Sequence, residues 1–191
     1  MGDPHPSIVV LDRDGVINYD SPNFIRTPDE WLPLPGSLQA IADLTQAGFT
    51  VVVASNQSGV GRGLFNADGL AAIHRRMTEA VEAVGGSIAG IFVCPHTPDD
   101  NCACRKPLPG LLRQVEARFD VSLQGQPVIG DSLRDLEAAW RISARAMLVK
   151  TGNGLKTVSA LEGSTTGRPT VEVFADLARA ASQLIAERNA C

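Results

Sequence analysis

Short runs of β-branched and other apolar residues alternate with longer segments of helical periodicity along most of this chain. The predicted strands are Ile8 to Leu11, Thr50 to Ala54, Ile88 to Val93, Pro127 to Gly130 and Ala146 to Lys150. The segments between them carry apolar residues at helical spacing. This alternation is typical of βαβ units, so we predict an α/β fold with a three-layer, Rossmann-like parallel sheet.

Capping signals predict where the helices begin and end. Ser37 would be the N-cap of a helix that ends before Gly48, and Asn66 would cap a second helix that ends at the pair Gly85-Gly86. Two more helices are predicted over Gly110–Phe119 and Leu133–Ile142. These helices would cover both faces of the sheet.

The last part of the chain has a different composition. Residues Thr151 to Thr170 are rich in Gly, Ser and Thr, which predicts a long loop, followed by an edge strand at Val171–Val173 and a closing helix over Phe174–Arg188. We expect one domain over residues 1–191, with a core of about 8–154 and a C-terminal loop and helix over 155–191.

Composition narrows the range of partners. The formal net charge is −4, whereas proteins that bind nucleic acids or anionic membranes favour basic surfaces. No apolar stretch approaches the roughly 20 residues that span a bilayer, and Met1–Ser7 lacks the apolar run of a secretory signal. We therefore expect a soluble, cytoplasmic monomer that acts on a small molecule, with no nucleic-acid or membrane partner.

Polar residues follow the ends of four predicted strands. The four segments are Asp12-Arg13-Asp14-Gly15, Ser55-Asn56-Gln57-Ser58-Gly59, Arg105-Lys106 and Gly130-Asp131-Ser132. One such segment alone would be an ordinary helix cap or turn. Because ligands of open parallel sheets bind beyond the carboxyl ends of the strands, the four segments together predict one shared site.

The residue types in these segments suit phosphoryl transfer. Two neighbouring carboxylates such as Asp12 and Asp14 repel each other, and they persist when the pair binds a cation or when one of them stays protonated. A carboxylate can also attack phosphorus once the phosphoryl charge is screened. Asp131 could complete a magnesium site, Lys106 could supply a fixed positive charge, and the Ser55 hydroxyl could hold a phosphate oxygen.

A compact set of thiols and one imidazole predicts a second metal. The ligands are Cys94, His96, Cys102 and Cys104, in the pattern Cys-x-His-x5-Cys-x-Cys. Four protein ligands suit a closed, tetrahedral structural zinc site and leave no open position for catalysis. Our hypothesis is that this zinc-stabilised loop rigidifies the segment that delivers Arg105 and Lys106.

The four polar segments resemble, in order, the four motifs of the haloacid dehalogenase-like phosphatases. The third motif is Cys102-Ala103-Cys104-Arg105-Lys106-Pro107, and the resemblance covers the chain from Ile8 to about Gly154. It implies that Asp12 is the nucleophile. Asp14 would be the acid that protonates the leaving oxygen and then the base that activates water.

The resemblance also implies the roles of the remaining site residues. Asp12, Asp14 through its backbone carbonyl, and Asp131 would hold Mg²⁺, while Ser55 and Lys106 would stabilise the phosphoryl group. The residues implied in substrate binding are Arg13, Asp20, Asn56, Gln57, Ser58 and Arg105.

Helices and the zinc loop fill the intervals between the motifs, so no cap domain is expected. An uncapped site suits a phosphorylated sugar. A histidinol-phosphate phosphatase is the alternative within the same chemistry. Two alternatives of other classes are a phospho-accepting receiver module, which would keep one stable phosphoryl group per chain, and a purely structural zinc-binding module.

Overall fold

A computed structural model describes residues 7–163 and 169–190 of the chain. These residues form six strands: β1 (Ile8–Leu11), β2 (Thr50–Asn56), β3 (Gly90–Cys94), β4 (Pro127–Gly130), β5 (Arg145–Val149) and β6 (Glu172–Phe174). They form one sheet in the order β3-β2-β1-β4-β5-β6, and every pair of neighbours is parallel.

In the part of the chain that the structure describes, seven α-helices accompany the sheet: α1 (Ser37–Gln46), α2 (Ser58–Gly61), α3 (Ala67–Glu82), α4 (Gly110–Phe119), α5 (Leu133–Trp140), α6 (Gly154–Glu162) and α7 (Leu177–Ala190). Two short 3₁₀ turns lie at Pro28–Glu30 and Pro98–Asp100. The predicted three-layer α/β fold is confirmed, and the described residues contain no separate cap domain.

The central strand β1 is buried on both faces. Val9 and Leu11 pack in one hydrophobic cluster with residues of α1, α3 and α7, while Ile8 and Val10 pack in a second cluster with residues of α4 and α5. A strand in this position needs apolar residues at every position, which explains why the run from Ile8 to Leu11 does not alternate with polar residues.

One predicted cap is wrong. Helix α1 begins at Ser37, but its N-cap is Gly36, with a φ of 77°. The Ser37 hydroxyl instead donates to the carbonyl oxygens of Ile17 and Leu34, at 2.6 and 2.9 Å. These bonds tie α1 to the loop that follows β1. The other predicted cap is confirmed, because the Asn66 side chain accepts a hydrogen bond from the backbone N–H of Gly69.

The predicted loop at Thr151–Thr170 is wrong in its first half, where helix α6 forms; residues 164–168 of that segment lie outside the described residues. The Gly, Ser and Thr content of this segment indicated a loop, but α6 also contains the good helix formers Leu, Lys, Ala and Glu, and tertiary contacts hold it in place. The Thr157 hydroxyl donates to the carbonyl oxygen of Asp131 at 2.9 Å. A side chain at Gly154 would collide with the carbonyl oxygen of Val149, so α6 packs directly against the end of β5.

Arg145 of β5 links the edge strand β6 and helix α7 through ion pairs. Its guanidinium group pairs with Glu172 of β6 and with Glu187 of α7, at distances of 2.6 to 2.9 Å.

In the described part of the chain, no helix has the length and apolar character needed to cross a membrane.

Candidate active site

One cavity of about 220 Å³ opens at the carboxyl ends of β1, β2 and β4, which are neighbours in the sheet. Ten of the predicted site residues line it: Asp12, Asp14, Asp20, Ser55, Asn56, Gln57, Ser58, Arg105, Lys106 and Asp131. Nine of them come from the four segments that follow the strands, and Asp20 lies farther along the loop after β1. The structure therefore brings them together around one space.

The ammonium group of Lys106 is the buried cation of this cavity. Its Nζ lies 3.0 Å from Asp12 Oδ1 and 2.5 Å from Asp135 Oδ1, and it donates to the carbonyl oxygen of Ala54 at 2.8 Å. Burial opposes the charge, but the attraction of the Asp12 and Asp135 carboxylates outweighs it and raises the pKa of Lys106. Lys106 therefore stays protonated at every physiological pH.

The carboxylates of this cavity exceed its buried positive charge. Oxygens of Asp12, Asp131 and Asp135 lie within 4.8 Å of one another. Burial raises the pKa of Asp12 to about 7, and Lys106 offsets only part of that effect. Burial, together with the charge of Asp135, raises the pKa of Asp131 to about 6. A divalent cation would stabilise the ionised form of both groups, so the site fits one.

Asp135 belongs to this cluster, but its oxygens already have partners. Oδ1 faces Lys106, and Oδ2 accepts hydrogen bonds from the backbone N–H and the hydroxyl of Ser132, at 3.0 and 2.5 Å. Burial opposes the charge of Asp135, but the charge of Lys106 and the hydrogen bonds from Lys106 and Ser132 together outweigh it and lower the pKa of Asp135. Asp135 is therefore the ionic partner of Lys106, while Asp12 and Asp131 keep free oxygens for a cation.

Asp14 is held by side chains behind the cavity. Its carboxylate accepts hydrogen bonds from Nε and Nη2 of Arg13, both at 3.0 Å, and from Asn18 and Gln57, both at 2.9 Å. The side chain of Arg13 is 1% exposed and is not among the lining residues of the cavity. The guanidinium of Arg13 therefore orients Asp14, and its predicted role in substrate binding stays a prediction.

Asn56 joins the loop that carries Lys106 to the end of β2. Its side-chain amide donates to the carbonyl oxygen of Lys106, and its side-chain oxygen accepts from the backbone N–H of Lys106, both at 3.0 Å. The Gln57 amide donates to the Ser55 hydroxyl at 2.7 Å. These bonds fix the lysine backbone and orient the hydroxyl.

The predicted zinc ligands lie together directly before Arg105. Their four ligand atoms lie within 4.8 Å of one another. The Sγ atom of Cys104 is 3.1 Å from that of Cys94, 3.5 Å from that of Cys102, and 3.2 Å from Nδ1 of His96. Thiolates around tetrahedral zinc are separated by roughly 3.7 Å, so the cluster could hold zinc after a small expansion.

Two protein-family models match this chain. The HAD-hydrolase-like model matches residues 103–180, and the polynucleotide kinase 3 phosphatase model matches residues 7–132. Curated relatives match over almost the whole length. The D-glycero-β-D-manno-heptose-1,7-bisphosphate 7-phosphatase of Bordetella bronchiseptica is 55% identical, over 94% of this chain and 98% of that protein. The enzyme of the same name from Pseudomonas aeruginosa is 49% identical, over 94% of this chain and 98% of that protein.

The chain belongs to this family of HAD-like phosphatases. The crystal structure of the B. bronchiseptica enzyme, complexed with magnesium and phosphate, has a TM-score of 0.89 and 54% identity, over 95% of this chain and 99% of that one. The D,D-heptose 1,7-bisphosphate phosphatase of Burkholderia thailandensis has a TM-score of 0.73 and 43% identity, over 94% and 98% of the two chains. The expected superfamily and phosphatase class are confirmed.

The backbone at Gly15 and the backbone at Gly152 lie against the Asp131 carboxylate. A Cβ atom would lie 2.1 Å from Asp131 Oδ2 if added at Gly15, and 2.2 Å from it if added at Gly152. Both glycines have positive φ, +80° and +55°. Thr151 joins the two segments, since its hydroxyl donates to the Gly15 carbonyl oxygen at 2.6 Å. Only glycine permits this close approach.

Three residues of the site were missed by the sequence analysis. Asp135 had a usable signal, because a carboxylate three residues after Ser132 forms a capping box, which the structure contains. Arg134 lines the cavity, but it lies in helix α5, and its sequence position gave no sign of a contact with the site. Asn153 binds Asp131 and lies in the segment that was predicted to be a loop.

Substitution of Gly152 tests the packing around Asp131. We expect Gly152→Ala to lose most phosphatase activity, because the new methyl group would displace the Asp131 carboxylate. Gly125→Ala is the matched control, since Gly125 also has positive φ, at +72°, but a Cβ there would meet nothing within 4 Å. The control should cost about 1 kcal/mol of the free energy of unfolding and keep its activity.

Phosphate release and denaturant unfolding of both variants would measure the difference. Wild-type activity in Gly152→Ala would contradict the described packing.

Proposed function

We propose that this phosphatase hydrolyses the 7-phosphate of D-glycero-β-D-manno-heptose 1,7-bisphosphate, with Mg²⁺ as cofactor, in the supply of ADP-heptose for the lipopolysaccharide core. The observation that carries the proposal is the shared cavity in which Asp12, Lys106 and Asp131 converge. The names of the relatives from B. bronchiseptica and P. aeruginosa support the substrate. The magnesium and phosphate bound by the B. bronchiseptica enzyme support the cofactor.

The proposed reaction has two steps. An oxygen of Asp12 attacks phosphorus and forms an aspartyl phosphate, the bond from phosphorus to the sugar oxygen breaks, and Asp14 gives that oxygen a proton. Asp14 then takes a proton from water, the water oxygen attacks phosphorus, and the bond to Asp12 breaks. Inorganic phosphate leaves, and both aspartates return to their starting states.

The other residues would stabilise the phosphoryl group. Lys106 is held in the cavity by two carboxylates, and its charge would balance a phosphoryl oxygen beside Asp12. The Ser55 hydroxyl would donate to a second oxygen. Asp12, the backbone carbonyl of Asp14 and Asp131 would hold Mg²⁺, which when bound screens the charge of the phosphoryl oxygens. Cys94, His96, Cys102 and Cys104 would hold a structural zinc ion.

Cationic groups at the cavity mouth support a substrate with two phosphates. Arg105 and Arg134 both line the cavity, and they also line a second cavity beside the zinc loop. Burial and the charges of Arg134 and Arg62 lower the pKa of Arg105. Within residues 7–163 and 169–190, none of the three arginines forms an ion pair. A distal phosphate would relieve their repulsion.

Further residues of the loop after β1 and of α2 would contact the sugar. Asp20 and Ser58 line the cavity, as do the side chains of Asn56 and Gln57. We also propose that the enzyme acts as a single-domain, cytoplasmic monomer.

Replacement of the nucleophile tests the reaction itself. We expect wild-type protein to release phosphate from the heptose bisphosphate only with Mg²⁺, and Asp12→Asn to lower the rate by more than about 10³-fold, because an amide cannot attack phosphorus. Asp43→Asn on the exposed surface of α1 is the control. Phosphate release should be measured with the bisphosphate and with histidinol phosphate. Faster turnover of histidinol phosphate would reject the proposed substrate.

Replacement of Arg134 tests the distal phosphate. We expect Arg134→Gln to raise the KM for the bisphosphate about tenfold, the effect of losing one charge-assisted hydrogen bond, while the KM for p-nitrophenyl phosphate stays unchanged. Arg134→Lys should recover part of the loss, and Arg141→Gln at the other end of α5 should change neither constant. An equal loss on both substrates would contradict a distal role.

Removal of zinc tests the role of the loop. We expect Cys102→Ser to lose its zinc and to bind inorganic phosphate about tenfold more weakly, because disruption of the metal site would release the adjacent Arg105 and Lys106. Metal content would be measured by mass spectrometry, and phosphate affinity by product inhibition. Unchanged kinetics in a protein verified to lack zinc would refute the link between the loop and the cationic groups.

A further inference from the structure

We propose that Asn153 is a positioning residue that holds Asp131 in the orientation in which it binds Mg²⁺. The inference rests on the Mg²⁺ dependence in the proposed function. It adds a residue that lies outside the four motif segments.

Asn153 contacts Asp131 twice, and both contacts go to the same oxygen. Its backbone N–H donates to Asp131 Oδ2 at 2.7 Å, and its side-chain amide donates to that atom at 3.2 Å. Oδ2 is also the oxygen that lies against Gly15 and Gly152. Oδ2 is therefore occupied on several sides, and Oδ1 is the atom that remains for a cation.

The segment around Asn153 is fixed to the rest of the site at both ends. Thr151 donates to the carbonyl oxygen of Gly15 at 2.6 Å, and Thr157 donates to the carbonyl oxygen of Asp131 at 2.9 Å. The Thr157 hydroxyl also lies 3.2 Å from the carbonyl oxygen of Asn153. These hydrogen bonds fix the segment that carries Asn153 to the loop after β1 and to the end of β4, so the position of Asn153 relative to Asp131 is defined.

The side chain of Asn153 also reaches the substrate side of the cavity. Its amide nitrogen lies 3.1 Å from Asp20 Oδ2, so one NH₂ group bridges the carboxylates of Asp20 and Asp131. Two carboxylates that share a donor are held apart and oriented at the same time. Partners of metal-binding carboxylates commonly set metal affinity in this way.

Asn153→Ala tests this role, because the variant keeps the backbone N–H but loses the amide. We expect the dissociation constant for Mg²⁺ to rise about tenfold when zinc-loaded, magnesium-free protein is titrated by calorimetry. The Mg²⁺ concentration for half-maximal activity should rise equally, while kcat at saturating Mg²⁺ stays within about twofold of wild type, because a tightened site restores the same geometry.

Two further variants separate positioning from folding. Leu155→Ala is the control on the same helix, since Leu155 is 63% exposed, and it should bind Mg²⁺ like wild type. The Asn153 side chain makes no capping hydrogen bond to α6. Serine also suits an N-cap position but is too short to reach Asp131, so Asn153→Ser should repeat the weaker binding without a loss of thermal stability. Mg²⁺ affinity unchanged in Asn153→Ala and Asn153→Ser would overturn the proposal, as would a fall in kcat with unchanged Mg²⁺ affinity.

The test is independent of the substrate. A wild-type protein that binds Mg²⁺ but leaves the heptose bisphosphate intact would reject the proposed substrate, and the comparison of Asn153 variants would still decide the positioning role. A wild-type protein that binds no Mg²⁺ at millimolar concentration would overturn both proposals.

Discussion

The buried ammonium group of Lys106 is the interaction on which the site depends. Only 4% of Lys106 is exposed, and it lies among carboxylates that burial alone would force to take up protons. Its charge is satisfied by Asp12 and Asp135 together, and the same contacts keep Asp135 ionised. One cation does not balance three carboxylates. The remaining negative charge on Asp12 and Asp131 is what suits the site to a divalent metal ion.

The fold delivers this arrangement through the order of its strands. The segments that carry Asp12, Ser55 and Asp131 follow β1, β2 and β4, which lie side by side at the centre of the sheet. Lys106 comes from a long loop instead and needs separate support. Asn56 bonds its backbone to the end of β2, and the Cys/His cluster lies immediately before it. The position of the lysine therefore depends on tertiary contacts of the loop.

The charges of the site change sign from the interior to the mouth. The interior contains excess carboxylate, which suits a metal ion, whereas Arg105 and Arg134 at the mouth carry positive charge. The substrate of the proposed function would match this distribution, with one phosphate beside Asp12 and the other beside the arginines. The same distribution opposes ligands that carry a positive charge at their distal end.

The sequence by itself determined the features whose signals are local. A continuous apolar run identified β1, the spacing of Asp12 and Asp14 identified the acidic loop, and three cysteines with one histidine identified the Cys/His cluster. Tertiary structure decided what depends on packing between distant segments. It turned Arg13 toward Asp14 and paired Asp135 with Lys106. It also placed Asn153 against Asp131, 22 residues away, at the start of a helix that the Gly-, Ser- and Thr-rich sequence did not predict. Such contacts leave no periodic pattern in the chain, because each requires the sheet to be assembled first.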